Sequence, residues 1–244
     1  MRTPVEVYGG VPVTNSDGAD LSYRWQHAGV KHVTQAFVGR TRVALTDTTS
    51  VKAHGIVGLT HTAELGPTTM RLSAFTAHID TNIVRPLFDG FRQFGPGLSI
   101  AIADKYDVVD KRYTVLAAGI NYDPGQWFLM AEGGTTNGHS FLARSRGLYV
   151  SSGYRAGDFT PYLSYSRVDA RSPTTDPGLP LTGLPPPYAA AAAQLNGGLA
   201  VLLKSIPSQS SINSRACAGT SVPTWHSSFQ YERVKTRDGS ARAP

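Results

Sequence analysis

YTVLAAGINYDPGQWFLMAEGG, residues Tyr113–Gly134, decides the fold class. Before its middle, Tyr113, Val115, Ala117 and Gly119 fall on one side of an extended chain, with Arg112 and Thr114 on the other. That period of two belongs to a β-strand. Asp123-Pro124-Gly125 then turns the chain, because proline fixes φ and glycine accepts a positive φ. Trp127, Leu129 and Ala131 return along one face, with Glu132 on the opposite one. The unit is a β-hairpin.

The same unit recurs in both directions. Leu21, Tyr23 and Trp25 alternate with Ser22, Arg24 and Gln26, Ala28-Gly29 turns, and Lys31 to Gly39 returns. Lys52 to Leu65 is followed by the turn Gly66-Pro67-Thr68, and then Met70, Leu72 and Ala74 alternate with Arg71 and Ser73. Leu148, Val150, Ser152 and Tyr154 lead into Ala156-Gly157-Asp158, and Phe159 to Val168 returns. These hairpins predict an all-β, antiparallel up-and-down meander. Short turns alternate with longer connections near 40–50, 80–110, 135–145 and 169–206. Transmembrane β-barrels have this asymmetry of ends. The aromatic residues Tyr23, Trp25, Tyr122, Trp127, Tyr154 and Phe159 gather near the short turns, as an interfacial girdle would.

Composition agrees with such a barrel. The 244 residues suffice for one β domain, and nothing in residues 1–244 reads as an interdomain linker. Mean hydropathy is -0.18 despite 41% hydrophobic residues, as expected when polar and apolar positions alternate. No apolar run reaches the length of a transmembrane helix; the longest, Ala189–Ala193 with Leu199–Leu203, is interrupted by Gln194 and Asn196. Helical spacing is confined to two connections: Ile83, Leu87 and Phe91 within Asp80–Gly97, and Tyr188–Leu203 after a proline stop. The net charge of +6 comes from scattered basic residues, which excludes a nucleic-acid footprint.

Catalytic and metal motifs are missing. Cys217 is the single cysteine, so neither a disulfide framework nor a cysteine metal site is available. Seven histidines (His27, His32, His54, His61, His78, His139 and His226) show no metal-ligand spacing and read as solvated loop groups. Asp104, Asp107 and Asp110 read as a solvated acidic loop lacking the calcium-loop pattern. There is no nucleophile elbow or phosphate loop, so no enzyme, cofactor or metal is expected. What remains is a lining. Ser22, Arg24, Gln26, Arg71, Ser73, Arg112, Thr114, Glu132 and Arg155 are expected to face a water-filled lumen. Arginine outnumbers glutamate among them, which predicts mild anion preference. Leu21, Tyr23, Trp25, Val115, Leu129, Leu148 and Val150 are expected to face lipid. A soluble or surface β-rich sugar-binding protein shares the alternation but would turn these residues inward.

Several stretches, taken in order, resemble the general porins of Gram-negative outer membranes. They are RTPVEVYGGVPVTNSDGADLSYRW (Arg2–Trp25), Tyr113–Gly134, GLYVSSGYRAGDFTPYLSYSRV (Gly147–Val168), SIPSQSSI (Ser205–Ile212) and FQYERVKTRDGS (Phe229–Ser240). The resemblance implies an outer-membrane barrel of roughly sixteen strands, a homotrimer, and passive diffusion of small hydrophilic solutes. The chain offers about ten candidate strands. Against the family pattern, an export signal, early strands and a terminal aromatic strand are absent, so the chain reads as a fragment, and a non-functional one on that reading. Alternation fails between Asn213 and Ser228, where a shifted frame between Ala216 and Gln230 can encode a strand–turn–strand peptide. Two compensating single-base changes are expected there.

Overall fold

A computed structural model describes residues 17–138, 140–141, 144–157, 159–171 and 173–205, and the backbone of 209–220 and 226–237. Ten strands form one sheet in sequence order, each antiparallel to the next. They are β1 (Asp17–His27), β2 (Val30–Ala44), β3 (Ser50–Leu65), β4 (Thr68–Thr81), β5 (Lys111–Tyr122), β6 (Trp127–Gly138), β7 (Arg144–Tyr154), β8 (Phe159–Arg171), β9 (Gln209–Thr220) and β10 (His226–Arg237). The shortest have 11 residues, enough to cross a bilayer at a tilt, which takes about 9–11. No helix among the described residues is long and apolar enough to cross a membrane.

Turn chemistry sets the register. Ala28 and Gly29 both have positive φ, so the first hairpin closes through a two-residue turn whose twist matches its strands. Gly66 and Gly125 supply positive φ in the next two hairpins, and Gly157 does so in the fourth. Asp158 of that fourth turn lies outside the described residues. Because strands alternate in direction, all four turns lie at one end of the sheet. The longer connections lie at the other end. Two are shorter than expected: that over 135–145 is cut to 139–143, between the end of β6 and the start of β7, and that over 40–50 is shortened too. β2 runs on to Ala44 through a bulge at Gly39/Thr41, leaving only 45–49 as loop.

Two connections carry helices. α1 (Arg85–Gln93) and α2 (Leu98–Tyr106) lie between β4 and β5, and α3 (Pro186–Ser205) lies between β8 and β9. α1 has proline in its first turn, where the missing N–H costs nothing. It buries Phe88 and Phe91, whereas Ile83 precedes the helix and stays exposed. α2 is a correction: Leu98–Tyr106 read as loop because its apolar residues lack a clear stripe. α3 begins before Tyr188, with Pro186 and Pro187 in its first turn. Its buried Ala192, Leu199 and Leu203 pack toward α1.

The hydrophobic core lies between these helices and one face of the sheet. Val51, Ala53 and Ile56 of β3, Ala77 and Ile79 of β4, and Tyr113 of β5 meet Phe88, Phe91, Ile102, Ala103, Leu199 and Leu203. All these sheet positions are near the loop end of their strands. Tyr113 lies across Gly138 of the neighbouring strand, where a Cβ would collide with its ring. β9 and β10 pair without a register shift from Gln209↔Arg237 to Thr220↔His226, with Cys217 opposite Phe229. The irregular sequence is therefore strand at 213–220 and 226–228, and 221–225 lie outside the described residues. The side chains of Cys217 and His226, and all of His139, lie outside the described residues.

Candidate channel wall and lumen

Cross-strand register assigns every side chain to one of two faces. The core marks the first, helix-bearing face. Phe37 and Phe75 belong to it, packed 6.4 Å apart over Gly58. Asp20 pairs with Phe37, so Asp20, Ser22, Arg24 and Gln26 share this face. Arg71 and Ser73 share it through Phe75, and the Ser73 hydroxyl lies 3.3 Å from that of Thr60. Glu132 pairs with Gly119 and Tyr149 on the same face. Ser151 and Ser164, 2.8 Å apart, continue it across β7 and β8. Below the helices this face is therefore built of hydroxyls, glycines, amides and charges.

The opposite face is graded from end to end. Its middle is largely apolar: Val38, Val57, Leu59, Met70, Leu72, Leu116, Ile120, Leu129, Leu148 and Leu163 are all exposed, interrupted by His61 opposite Leu72 and by Arg167, paired with Asp169, opposite Leu148. Leu21 is 75% exposed. A soluble fold would cover so large an apolar band. Toward the short turns the band ends in Tyr23, Trp25, Trp127, Tyr154 and Phe159, all exposed, and in Tyr122, whose ring is 5.1 Å from that of Trp127. Toward the loop end it gives way to Lys52, His54, His78, Arg112, Arg144, Arg146 and Arg171.

Three expected lining residues are elsewhere. Arg112 and Thr114 pair with His78 and Thr76 on the opposite face. Their partner expectation also fails: Val115 points to the helix-bearing face and is 4% exposed, while Leu116 is 50% exposed. Both faces of β5 carry apolar side chains, so alternation alone did not reveal its phase. Arg155 follows β7 and is on neither face. Its guanidinium grips Asp123 with Nη1–Oδ1 and Nη2–Oδ2 distances of 2.7 Å and donates to the Gly125 carbonyl. It clamps neighbouring short turns together. The Arg155 hydrogen bond holds the Asp123 carboxyl below its ordinary range.

With Arg112 and Arg155 removed, the basis for anion preference disappears. The described cations on the helix-bearing wall are Arg24, Lys31, Arg71 and Lys111; the acids are Asp20, Glu64 and Glu132. The wall is close to neutral.

The inserted helices are tied down by polar contacts. Asp107, 1% exposed, accepts the Val108 N–H, and Arg92 Nη2 stands 2.8 Å from its Oδ2. Removing the Arg92 charge would strand the Asp107 carboxylate in a buried place, whereas Arg92 is partly exposed and also faces Asp89 and Asp104. Asp176, from the connection before α3, accepts hydrogen bonds from the Tyr106 hydroxyl at 2.7 Å and from Lys105 at 3.0 Å. Burial opposes the Asp176 charge, and hydrogen bonds from Tyr106, the Gly178 N–H and Lys105 outweigh it, holding that carboxyl low. Asn196 of α3 both accepts from the Leu179 N–H and donates to the Leu179 carbonyl. The two long connections thus form one plug against the loop end of β3–β5.

Six histidines expected in loops are on strands, His27 at the end of β1 and His226 at the start of β10, and the other four meet in pairs. His32 stacks on Trp25 at 3.9 Å and lies 3.3 Å from His61. His54 and His78 are direct cross-strand partners and converge on Asp110. Asp107 and Asp110 are likewise structural rather than free acids of a solvated loop. Sequence spacing could not show these meetings, because register and a bulge between His54 and Val57 create them.

No family model matches the chain. No curated protein matches it either. Among solved structures it resembles the outer membrane channel DcaP of Acinetobacter baumannii, with a TM-score of 0.51 at 12% identity. The match covers 91% of this chain and 57% of that one, so the chain spans little more than half the channel's length. The fold is that of a β-barrel wall. A Pseudomonas aeruginosa FadL homologue (TM-score 0.36, 10% identity, 89% of this chain and 65% of that one) and Pseudomonas aeruginosa OprD (0.36, 10%, 98% and 70%) superpose too loosely to add to this. Among the described residues the sheet is open: β1 and β10 end the strand order without pairing to each other.

Proposed function

We propose that the chain forms the wall of a passive outer-membrane channel for small hydrophilic solutes, and that it is not an enzyme. One observation carries this reading: the apolar face is the exposed one, bounded by aromatic residues at one end and charged residues at the other, while the polar face receives the helices. A soluble binding barrel has the reverse arrangement. The DcaP likeness supports the same class of fold. In this reading Ser22, Arg24, Gln26, Arg71, Ser73 and Glu132 line the water path, and α1–α3 narrow it at the loop end. The girdle of Tyr23, Trp25, Tyr122, Trp127, Tyr154 and Phe159 marks the periplasmic boundary of the lipid. Open strand edges in lipid leave backbone groups unpaired at several kcal/mol each, so both edges must find partners for the wall to conduct. The assembly is a homotrimer, as the porin resemblance implies.

The full protein, reconstituted in planar bilayers, tests this. The expected result is unitary conductance with a reversal potential near zero in a salt gradient, because the wall is nearly neutral. A water-soluble monomer without conductance contradicts the channel reading.

A further inference from the structure

The loop end of the exposed face holds a cluster that the channel reading does not use. His54 and His78 sit opposite each other on β3 and β4, and Asp110 reaches them from the segment leaving α2. His54 Nε2 is 3.2 Å from Asp110 Oδ1, and His78 Nδ1 is 2.7 Å from the same oxygen. One ligand atom from each residue fits within a 4.8 Å span. We propose that His54, His78 and Asp110 form a binding site for a divalent transition metal of the zinc class.

Three features make this more than a chance meeting of polar groups. The first is donor type. Two imidazole nitrogens and one carboxylate oxygen suit zinc, nickel or copper, whereas magnesium and calcium favour oxygen throughout. Tetrahedral zinc, with bonds of about 2.0–2.2 Å, spaces its ligand atoms by about 3.4 Å. The ligand atoms lie 3.2 and 2.7 Å apart on the two Asp110 edges and within 4.8 Å overall, so a bound ion would draw the side chains toward that spacing. The second is the support behind the ligands. His54 directs its other nitrogen, Nδ1, at Asp80 Oδ2 across 3.3 Å. A metal-binding histidine commonly donates its second N–H to a carboxylate in this way, which fixes ring and tautomer. Asp80 also accepts the Asp110 N–H at 2.7 Å, so one carboxylate orients both neighbours. The third is local backbone shape. The chain bulges just after His54, with Gly55 at positive φ, and Asp110 itself has a φ of 48°. Non-glycine residues enter that region rarely and at some cost. Both departures bring their side chains to the same point.

The three ligands are partly exposed, so an ion can enter from solvent. A fourth position is open to water or another donor. Bound metal would join β3 and β4 to the end of the inserted α1–α2 segment, making a clasp between wall and plug.

The test is metal binding to the full, chelator-treated protein in detergent, read without reference to conductance. Failure of the channel reading therefore leaves this result interpretable, and the converse holds. Cobalt(II) should bind once per chain at micromolar concentration, give visible absorption bands of low coordination, and be displaced by zinc. His54→Gln and His78→Gln should each weaken binding by at least tenfold, and Asp80→Asn, which keeps all three ligands, by ten- to a hundredfold. His61→Gln, in the separate Trp25–His32–His61 stack, should bind as before. Circular dichroism of each variant confirms that its strands form. The proposal is overturned if the native protein takes up no stoichiometric metal, or if folded His54→Gln and His78→Gln bind it unchanged; the cluster is then a set of histidine–aspartate ion pairs only.

Discussion

β5 and β7 have nearly the same length and the same alternating pattern, yet only β7 could be oriented from sequence. In β7, Leu148, Val150 and Tyr154 oppose Gly147, Tyr149 and Ser151, so one face is plainly more apolar. In β5, Tyr113 and Val115 oppose Leu116, Ala118 and Ile120, and both faces are apolar. The structure explains the difference. The helix-bearing face of β7 carries serines, glycines and Tyr149, whereas that of β5 puts Tyr113 into the core beneath the helices and sets Val115 opposite Phe75. A strand in a simple barrel wall declares its orientation; a strand that also supports a plug does not.

The largest expected effect comes from removing that support. Phe91 is fully buried between α1 and the sheet. Phe91→Ala should cost about 3–5 kcal/mol in the plug. Hydrogen exchange should show lost protection over 85–106 while β7 and β8 stay protected. Equal loss in both regions would mean that plug and wall are one cooperative unit, and the distinction drawn between β5 and β7 would fail.

A middle-sized effect separates the faces directly. Leu72 and Ser73 are adjacent on β4 but point to opposite sides. An arginine facing lipid near the bilayer midplane costs roughly 2–4 kcal/mol. Leu72→Arg should therefore lower the unfolding free energy in bilayers by about that amount, and Ser73→Arg should alter conductance more than stability. The reverse order would turn the wall inside out.

The smallest effect lies at the short turns, which serve plug-bearing and plain strands alike. The folded Asp123 carboxyl titrates below its unfolded value of about 3.9, because Arg155 stabilises its charged form. Its contribution is complete above the unfolded value and is lost as pH falls through the folded one. Exchange protection at 123–125 should thus decline on acidification below about pH 4, and Asp123→Asn should show low protection without that step. A native profile flat to strong acid would remove the clamp from the account.

Much of the fold was legible in sequence for definite reasons. Ala28-Gly29, Gly66-Pro67 and Pro124-Gly125 marked their hairpins because few residue types tolerate those turns. Ser22, Arg24, Gln26, Arg71, Ser73 and Glu132 fall on one face because each alternates with apolar neighbours on its strand. The parts that escaped depend on contacts distant in sequence. Arg155 looked like a lining residue until Asp123 was brought beside it. Asp107 looked solvated until Arg92 and the core enclosed it. His54, His78 and Asp110 had no motif to betray them, since strand register alone assembles them. α2 lacks a periodic stripe, and its docking surface, not its own pattern, makes it a helix in place.

The most direct measurement of the central claim uses the strand whose phase was ambiguous. Spin labels placed singly at Leu116 and Ala117, in a Cys217→Ser background and in bilayers, report access to oxygen, which partitions into lipid, and to a nickel chelate, which stays in water. The account predicts that the label at Leu116 is relaxed mainly by oxygen and the label at Ala117 mainly by the nickel chelate. Exchange of these two responses, or strong nickel relaxation at both sites, would contradict it.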